Sequence, residues 1–224
     1  RMIREILNTS SLEDTKRLYE IIARVKSRAQ ANLVSAGHCT AVLRGASYSS
    51  PMAAFQEGMS GIAYYQFIEE LEKNFDTRKE ELVKELNSLM TEILRPEYLK
   101  ISYTGERESL DEIMKQVKAL KHTFHTESVD IAEKSISCEK EKTRGFTISG
   151  QVQYVARTGN FMEEGLDYTG ALQILKVILS YDYLWQNIRV KGGAYGCMSN
   201  FNRIGEGISD LLPGSEPEKD HGSV

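Results

Sequence analysis

The sequence lacks the features that mark several large classes of protein. No stretch reaches the roughly 18 apolar residues of a membrane span, and no signal-peptide core opens the chain. The net charge of the 224 residues is −4, and no long run of lysine and arginine could form a basic face. We therefore expect neither a membrane nor a nucleic acid among the partners of this protein.

Cysteines are few and none forms a CxxC pair. Cys39, Cys138 and Cys197 are widely spaced, and an odd count with loose spacing predicts free thiols rather than a disulfide framework. Free thiols are typical of a reducing compartment. We expect a cytoplasmic location, with an organelle matrix as the alternative. The opening residues, 1–4, resemble an internal part of a longer protein.

The motifs of common catalytic centres are also absent. The histidines are His38, His122, His125 and His221, and neither HEXXH nor HXXEH occurs. We interpret these histidines as solvated or locally hydrogen-bonded, and we predict no metal site in this chain. No GxSxG elbow is present, and the glycines at 192–193 do not have the spacing of a phosphate-binding loop.

The first part of the chain carries several signals for helices. Capping boxes, in which Ser or Thr is followed three residues later by Glu, predict helix starts at Ser10, Thr77 and Ser109. Another helix is expected to begin at Pro51, since proline suits a first helical position, and to run towards Leu71.

The remaining pattern predicts an α+β protein of two modules. Residues 98–103 have the alternation of a short strand, so that residues 1–121 form a mostly helical first module. Residues 122–142 are polar, and we expect a linker and an entry strand there. Residues 143–207 begin a second, incomplete module, with β-rich sequence at 146–156 and helix from about 165 to 188. Residues 208–224 are expected to form a polar tail that is disordered or non-native.

The most informative segment joins the last helix to a glycine-rich turn and a following strand. Arg189 and Tyr195 lie on either side of this turn, which can bring a guanidinium and a phenol into one cleft. Both groups suit an oxygen that gains negative charge during acyl transfer. The alternative is that Arg189 closes the C-terminus of the helix and Tyr195 packs in a sheet.

The second module resembles the last domain of the presequence-protease and falcilysin-like group, which is a branch of the insulinase-like zinc peptidases. The matching residues are Gln151–Ala156, Gly159–Phe161, Leu184-Trp185 and Arg189–Gly196. The first module is similar to the end of the preceding domain in the same group.

This resemblance implies a clamshell peptidase of four related α+β domains of the insulinase (LuxS/peptidase) type, with antiparallel sheets flanked by helices. Residues 1–121 would end the third domain and residues 143–207 would start the fourth. Tyr195 would donate to the oxyanion of the tetrahedral intermediate, and Arg189 would grip a substrate carbonyl or orient the tyrosine. With Gly193 and Ala194, these residues would form a substrate-binding surface.

The resemblance also implies the partners and the cofactor. Zinc would be bound by the N-terminal half of the same protein through HXXEH, so this chain alone is expected to bind no zinc and to be inactive. Its partners would be that half and an unstructured peptide. It would serve as the substrate-binding and closure part of a zinc metalloendopeptidase that degrades oligopeptides. The rival hypothesis is a non-catalytic peptidase-like interaction or scaffold subunit. An exposed sheet edge could support self-association.

Overall fold

The protein combines many helices with one small antiparallel sheet. A computed structural model describes residues 2–127, 135–138, 143–148 and 152–214. In chain order the elements are α1 (Met2–Thr9), α2 (Thr15–Ser35), α3 (Gly37–Ala46), α4 (Pro51–Ser60), α5 (Ile62–Lys73), α6 (Phe75–Ile93), a 3₁₀ turn (Arg107–Ser109), α7 (Leu110–Lys121), β1 (Gln153–Asn160), α8 (Gly170–Ile178), a π-helix (Leu179–Lys191), β2 (Cys197–Phe201) and β3 (Glu206–Gly214). This mixture agrees with the α+β class. Within the described ranges, no helix is both long enough and apolar enough to cross a membrane.

The chain divides into two compact units that do not follow the expected module boundaries. Unit 1 comprises Arg1–Ala23 and Leu71–Glu133, and unit 2 comprises Arg24–Glu70 and Lys134–Val224. The helices of residues 24–70 therefore belong to the same unit as the C-terminal sheet, rather than to the module in which the sequence had placed them. A boundary of this kind is not visible in sequence order, because each unit is assembled from two separate segments.

Unit 1 contains an apolar cavity of about 580 Å³. Leu99 and Ile101 line it beside Ile93 and Ile113. The strand expected at residues 98–103 is not formed in this described segment. Its apolar residues alternate because they line the cavity, and the described part of unit 1 offers no strand with which the segment could pair.

Helix starts follow the sequence in some places and depart from it in others. The helix expected from Ser10 starts instead at Thr15, after Asp14 Oδ1 has accepted the N–H of Arg17 at 3.0 Å. Helix α6 starts at Phe75, slightly before the expected capping box, and α7 starts at Leu110 as expected. The helices α1 and α3 have no counterpart in the sequence prediction.

The helix expected from Pro51 to Leu71 begins at the predicted residue but is broken near its middle. Ser50 Oγ caps α4 by accepting the N–H of Ala53 at 3.3 Å. At Gly61 the backbone becomes extended, and Glu57 Oε1 accepts the N–H of Ala63 in the first turn of α5 at 3.1 Å. Glu57 also pairs with Arg44 of α3 at 3.3 Å. One buried carboxylate therefore ties together three helices of unit 2.

The sheet of unit 2 has the order β1-β3-β2, and all of its pairing is antiparallel. Helix α3 packs on β1 where glycines allow a close approach, because a Cβ at Gly37 would lie 2.3 Å from the ring of Tyr154. A Cβ at Gly45 would likewise lie 2.9 Å from Thr158. In the described sheet, β1 and β2 form the two edges.

The central strand β3 corrects the expectation of a polar tail from residue 208. Up to Gly214, this segment pairs on both sides, with Ala156 opposite Asp210 in one ladder and Cys197 opposite Leu211 in the other. Two ladders of backbone hydrogen bonds outweigh the low strand propensity of Asp210 and Pro213. Residues 215–224, the rest of the expected tail, lie outside the described residues.

Other expectations for this region are only partly met. The β-rich segment predicted at 146–156 forms a strand from Gln153, and residues 146–148 are not in one. The expected entry strand is not formed in residues 122–127 or 135–138, the parts of the linker that the structure describes. The last helix begins at Gly170 rather than near residue 165, because Gly165 adopts a φ of +79° in a preceding turn.

Candidate functional site

The last helix is held in place by a small apolar core of unit 2. Leu184 and Ile188 are each 2 % exposed, and they pack with Ala194 and Cys197 from beyond the turn. On the same helix, Ser180 Oγ accepts the N–H of Ser199 in β2 at 3.3 Å. The helix and the following strand are therefore fixed against each other. The turn between them has little freedom to change its shape.

Two glycines give the turn its geometry. Gly193 has a φ of +77°, the left-handed conformation that closes many helices, and its N–H donates to the carbonyl of Arg189 at 3.1 Å. The N–H of Ala194 donates to the carbonyl of Ile188 at 3.2 Å. At Gly192 a Cβ would lie 2.6 Å from that same carbonyl oxygen. Two adjacent residues without a side chain are what this tight reversal requires.

Arg189 is attached to the turn at both of its ends. Its carbonyl accepts from the turn, and its guanidinium Nη1 donates to the backbone carbonyl of Tyr195. The expectation that the turn brings Arg189 and Tyr195 together is met, since the guanidinium carbon lies 5.7 Å from the centre of the Tyr195 ring. The alternative, in which Arg189 only closes its helix, does not describe this geometry, because the guanidinium reaches past the helix end to the residue six positions on.

Tyr195 presents its phenol to solvent. The residue is 74 % exposed, and the described residues give its hydroxyl no hydrogen-bond partner. It is therefore not packed within the sheet, as the alternative had it. A phenol held near a cation, with its O–H unpaired, is arranged to donate to an external oxygen.

Gly193 and Ala194, the other predicted substrate-binding residues, lie in the turn itself. Ala194 is buried, and the N–H groups of both residues are engaged in the hydrogen bonds that close the helix. Neither amide is therefore open to a ligand in this geometry. Their part in the site is to set the backbone path, and direct contact with a substrate stays a prediction.

Trp185 belongs to the same cluster, although the sequence analysis gave it no role. The Arg189 guanidinium carbon lies 4.4 Å from the centre of its ring, closer than to the ring of Tyr195. Trp185 and Arg189 are four residues apart on a helix, a spacing that places side chains next to each other. That spacing, with a cation and an aromatic residue as the pair, was the signal available in the sequence.

The histidines and cysteines are not brought together into a metal site in the described part of the chain. Over those residues, no group of three or more His, Cys, Asp and Glu side chains is placed to hold a metal ion. Cys197 is buried in the core of unit 2, and Cys39 is exposed on α3. His221 lies outside the described residues. The side chains of this region therefore do not fit a zinc centre.

Comparison with known proteins gives the class and then the family. Residues 1–71 match the family described as the associated region of subfamily C of metallopeptidase family 16, and residues 143–218 match the PreP C-terminal domain. Together with the described turn and sheet, these matches define the chain as part of a peptidase. More narrowly, the chain belongs to the presequence-protease-like peptidases of this subfamily and corresponds to their C-terminal part.

Individual relatives cover most of the chain. It is 35 % identical over 204 residues to Protein HypA of Clostridium perfringens, a match covering 91 % of this chain and 21 % of the relative. It is 23 % identical to Presequence protease 1, chloroplastic/mitochondrial, of Arabidopsis thaliana, covering 88 % of the chain and 18 % of the relative. For the mitochondrial presequence protease of Yarrowia lipolytica, the identity is 26 % and the shares are 90 % and 20 %. The chain spans about a fifth of the length of these curated relatives.

Proposed function

We propose that this chain supplies the substrate-binding and closure surface of a zinc metalloendopeptidase that degrades oligopeptides. The observation that carries the proposal is the paired placement of Arg189 and Tyr195 on one rigid turn, with the phenol exposed and its hydroxyl unpaired. The membership of the chain in a peptidase family makes peptide hydrolysis the reaction to which these groups are assigned.

The two side chains have distinct roles in this proposal. Tyr195 donates its phenolic proton in a hydrogen bond to the oxyanion that forms when a peptide carbonyl becomes tetrahedral. Arg189 uses one of its five N–H donors on the Tyr195 carbonyl in the described structure, which leaves donors for a carbonyl of the bound peptide. A preorganised donor of this kind is worth about 10²–10³ in kcat when it is removed.

The remaining parts of the reaction are assigned to the rest of the parent protein. Zinc and the general base would come from an N-terminal half that carries HXXEH, and this chain would contribute neither. Closure of the two halves around a chamber would favour unstructured peptides over folded proteins. We place the parent in the cytoplasm, with an organelle matrix as the alternative, since two of the relatives are named as mitochondrial or chloroplastic.

A non-catalytic interaction subunit is the second candidate, and one observation favours it. Several large apolar residues of the last helix are exposed, among them Ile174, Val177 and Tyr181. An apolar helix face of this kind is typical of a surface that another protein covers. In such a subunit, Arg189 and Tyr195 would serve only to hold the turn.

Reconstitution of hydrolysis distinguishes the two candidates. This chain alone, and this chain mixed with a separately expressed HXXEH-bearing upstream half and zinc, would be assayed on a quenched fluorescent oligopeptide. We expect activity only in the mixture and its loss when Tyr195→Phe is mixed instead. Binding of the two parts without hydrolysis would favour the interaction subunit.

Self-association through a sheet edge is a separate proposal about partners. In the described sheet, β1 and β2 each have one unpaired side, and unpaired strand edges invite pairing with another copy. Size-exclusion chromatography with light scattering over a range of concentrations tests it. A chain that stays monomeric at the highest concentration contradicts this proposal.

A further inference from the structure

We propose that Trp185 is the positioning residue of this site, holding the Arg189 guanidinium where it fixes Tyr195. The inference rests on the proposed function and adds a residue to it. Three described contacts carry it: the stacking of Arg189 on Trp185 at 4.4 Å, the hydrogen bond from Arg189 to the Tyr195 carbonyl, and the approach of the same guanidinium to the Tyr195 ring at 5.7 Å.

Arg189 needs such a support because its charge has no other fixed neighbour. Over the described residues, it forms no ion pair with a carboxylate, and its long side chain has several rotatable bonds. An arginine with one hydrogen bond to a carbonyl would keep much of its rotamer freedom. A large aromatic face within about 6 Å of the guanidinium removes that freedom by an electrostatic attraction to the ring, for which tryptophan is the strongest side chain.

Trp185 is itself held firmly enough to act as a support. It follows Leu184, which is 2 % exposed in the core, and precedes Ile188, which is equally buried. These two residues anchor the helix on one face, and Trp185 projects beside them with 37 % of its surface exposed. The ring therefore sits at the border between the core and the open side of the turn, which is where the guanidinium lies.

The order of contacts gives a chain of positioning that ends at the phenol. Trp185 orients the guanidinium, the guanidinium bonds to the carbonyl of Tyr195, and that bond fixes the residue that carries the phenol. Loss of the ring should therefore weaken turnover more than it weakens the fold. Its effect should also depend on the presence of Arg189, since the ring acts through that side chain.

The first test is a double-mutant cycle in the full-length parent enzyme. We expect Trp185→Leu to lower kcat/KM about tenfold, equivalent to about 1.4 kcal/mol, mainly through kcat. Trp185→Phe, which keeps an aromatic face, should recover most of this loss. In an Arg189→Met background, Trp185→Leu should cause no further loss, because the group on which the ring acts is gone. The matched control is Tyr181→Leu, another exposed aromatic residue of the same helix, which should leave kcat/KM unchanged.

The outcomes separate this inference from the proposed function. Losses that multiply in the double variant, or a Phe variant no better than Leu, would mean that Trp185 acts only through packing, and would overturn the inference alone. An Arg189→Met enzyme with wild-type kcat/KM would instead overturn the proposed function. A Trp185→Leu enzyme with wild-type kcat/KM beside an inactive Arg189→Met enzyme would also refute the positioning role.

A second test uses this chain by itself and does not depend on activity or on the leucine variant folding. Trp185 is the one tryptophan of the 224 residues, so its fluorescence reports directly on its neighbours. We expect Arg189→Met to shift the emission and to increase quenching by acrylamide, because the guanidinium no longer covers the ring. The control Arg203→Met, at a cation near a different aromatic residue, should leave both unchanged. Identical spectra for Arg189→Met and the parent chain would show that the stack is not formed.

Discussion

At the scale of single residues, Arg189 is unusual because three groups converge on it. Its carbonyl closes the helix, its guanidinium bonds to the carbonyl of Tyr195, and an aromatic ring covers its charge. The sequence was sufficient to pair Arg189 with Tyr195, because a glycine turn between them returns the chain on itself. It was not sufficient to include Trp185, since the stack depends on side-chain rotamers that spacing alone does not determine.

The exposed phenol gives the sharpest residue-scale prediction. In the full-length parent, Tyr195→Phe should lower kcat about 10²–10³-fold, because the donor to the oxyanion is removed. The free energy of unfolding should change by less than about 0.5 kcal/mol, since the side chain is exposed and its hydroxyl bonds to no described residue. Steady-state kinetics and urea unfolding measure the two quantities.

A matched tyrosine on the same helix controls for surface effects. Tyr181 is also exposed, and Tyr181→Phe should change neither kcat nor stability. Wild-type turnover by Tyr195→Phe would remove the phenol from the proposed chemistry and leave it a purely surface residue.

The glycines of the turn give a second residue-scale prediction. Gly193→Ala should destabilise unit 2 by about 1–2 kcal/mol, because alanine is strained at a φ of +77° even though no atom obstructs its Cβ. Gly193→Asn should cost less, since asparagine tolerates the left-handed region. Gly192→Ala should cost more, because its Cβ meets a backbone oxygen at 2.6 Å. Denaturant unfolding gives the order.

The control for these substitutions has the opposite expected sign. Gly58 lies inside α4 with open space around its Cβ and no positive φ, so Gly58→Ala should stabilise by roughly 0.5–1 kcal/mol. If Gly193→Ala were as stable as the parent chain, the left-handed turn would not exist in solution.

At the scale of elements, the sequence predicted best where a local chemical signal is strong. The start of α4 at Pro51 and the start of α7 at Leu110 were expected from local chemistry, and the strand after Gly196 followed from the turn. The break at Gly61 was not foreseen, because it depends on the Glu57 carboxylate, which accepts from the helix that follows the break. Strand β3 was missed since its residues have low strand propensity, and only pairing on both sides stabilises it.

The junction of α3, α4 and α5 gives a prediction at this scale. Glu57→Gln should lower the free energy of unfolding by about 3 kcal/mol, because it removes the negative charge beside the buried guanidinium of Arg44. The two side chains are 4 % and 10 % exposed, so solvent screens the pair little. Glutamine keeps the shape of the side chain, which limits the change to its charge. Chemical denaturation monitored by circular dichroism measures it.

A surface carboxylate of the following helix is the control. Glu69 accepts from the Tyr65 hydroxyl at an exposed position, and Glu69→Gln should change stability by less than about 0.5 kcal/mol. Equal effects of the two substitutions would mean that the Arg44–Glu57 pair contributes nothing beyond an ordinary surface contact.

At the scale of the whole molecule, neither unit is continuous in sequence. The matched families cover residues 1–71 and 143–218, whereas unit 2 takes residues 24–70 from the first of these regions and its sheet from the second. Sequence order alone could therefore not give the units, because helix α3 packs on a strand more than a hundred residues later in the chain. The candidate turn belongs to unit 2 and depends on both of its segments.

The last prediction concerns the strand that joins the sheet of unit 2. A chain that ends after Gly205 lacks all of β3, so β1 and β2 lose the one strand with which both pair. Their backbone N–H and C=O groups would have no ladder, and each unpaired buried group costs about 1–3 kcal/mol. We expect this chain to lose the near-ultraviolet signal of the folded protein and to aggregate. A chain that ends after Glu218, where the family match ends, keeps β3 and should unfold with the same midpoint as the complete chain. Since the core of Leu184, Ile188 and Cys197 rests on β2, the shorter chain should also lose the shielding of Trp185 by Arg189. A soluble, cooperatively folding chain that ends at Gly205 would mean that the turn is stable without the sheet.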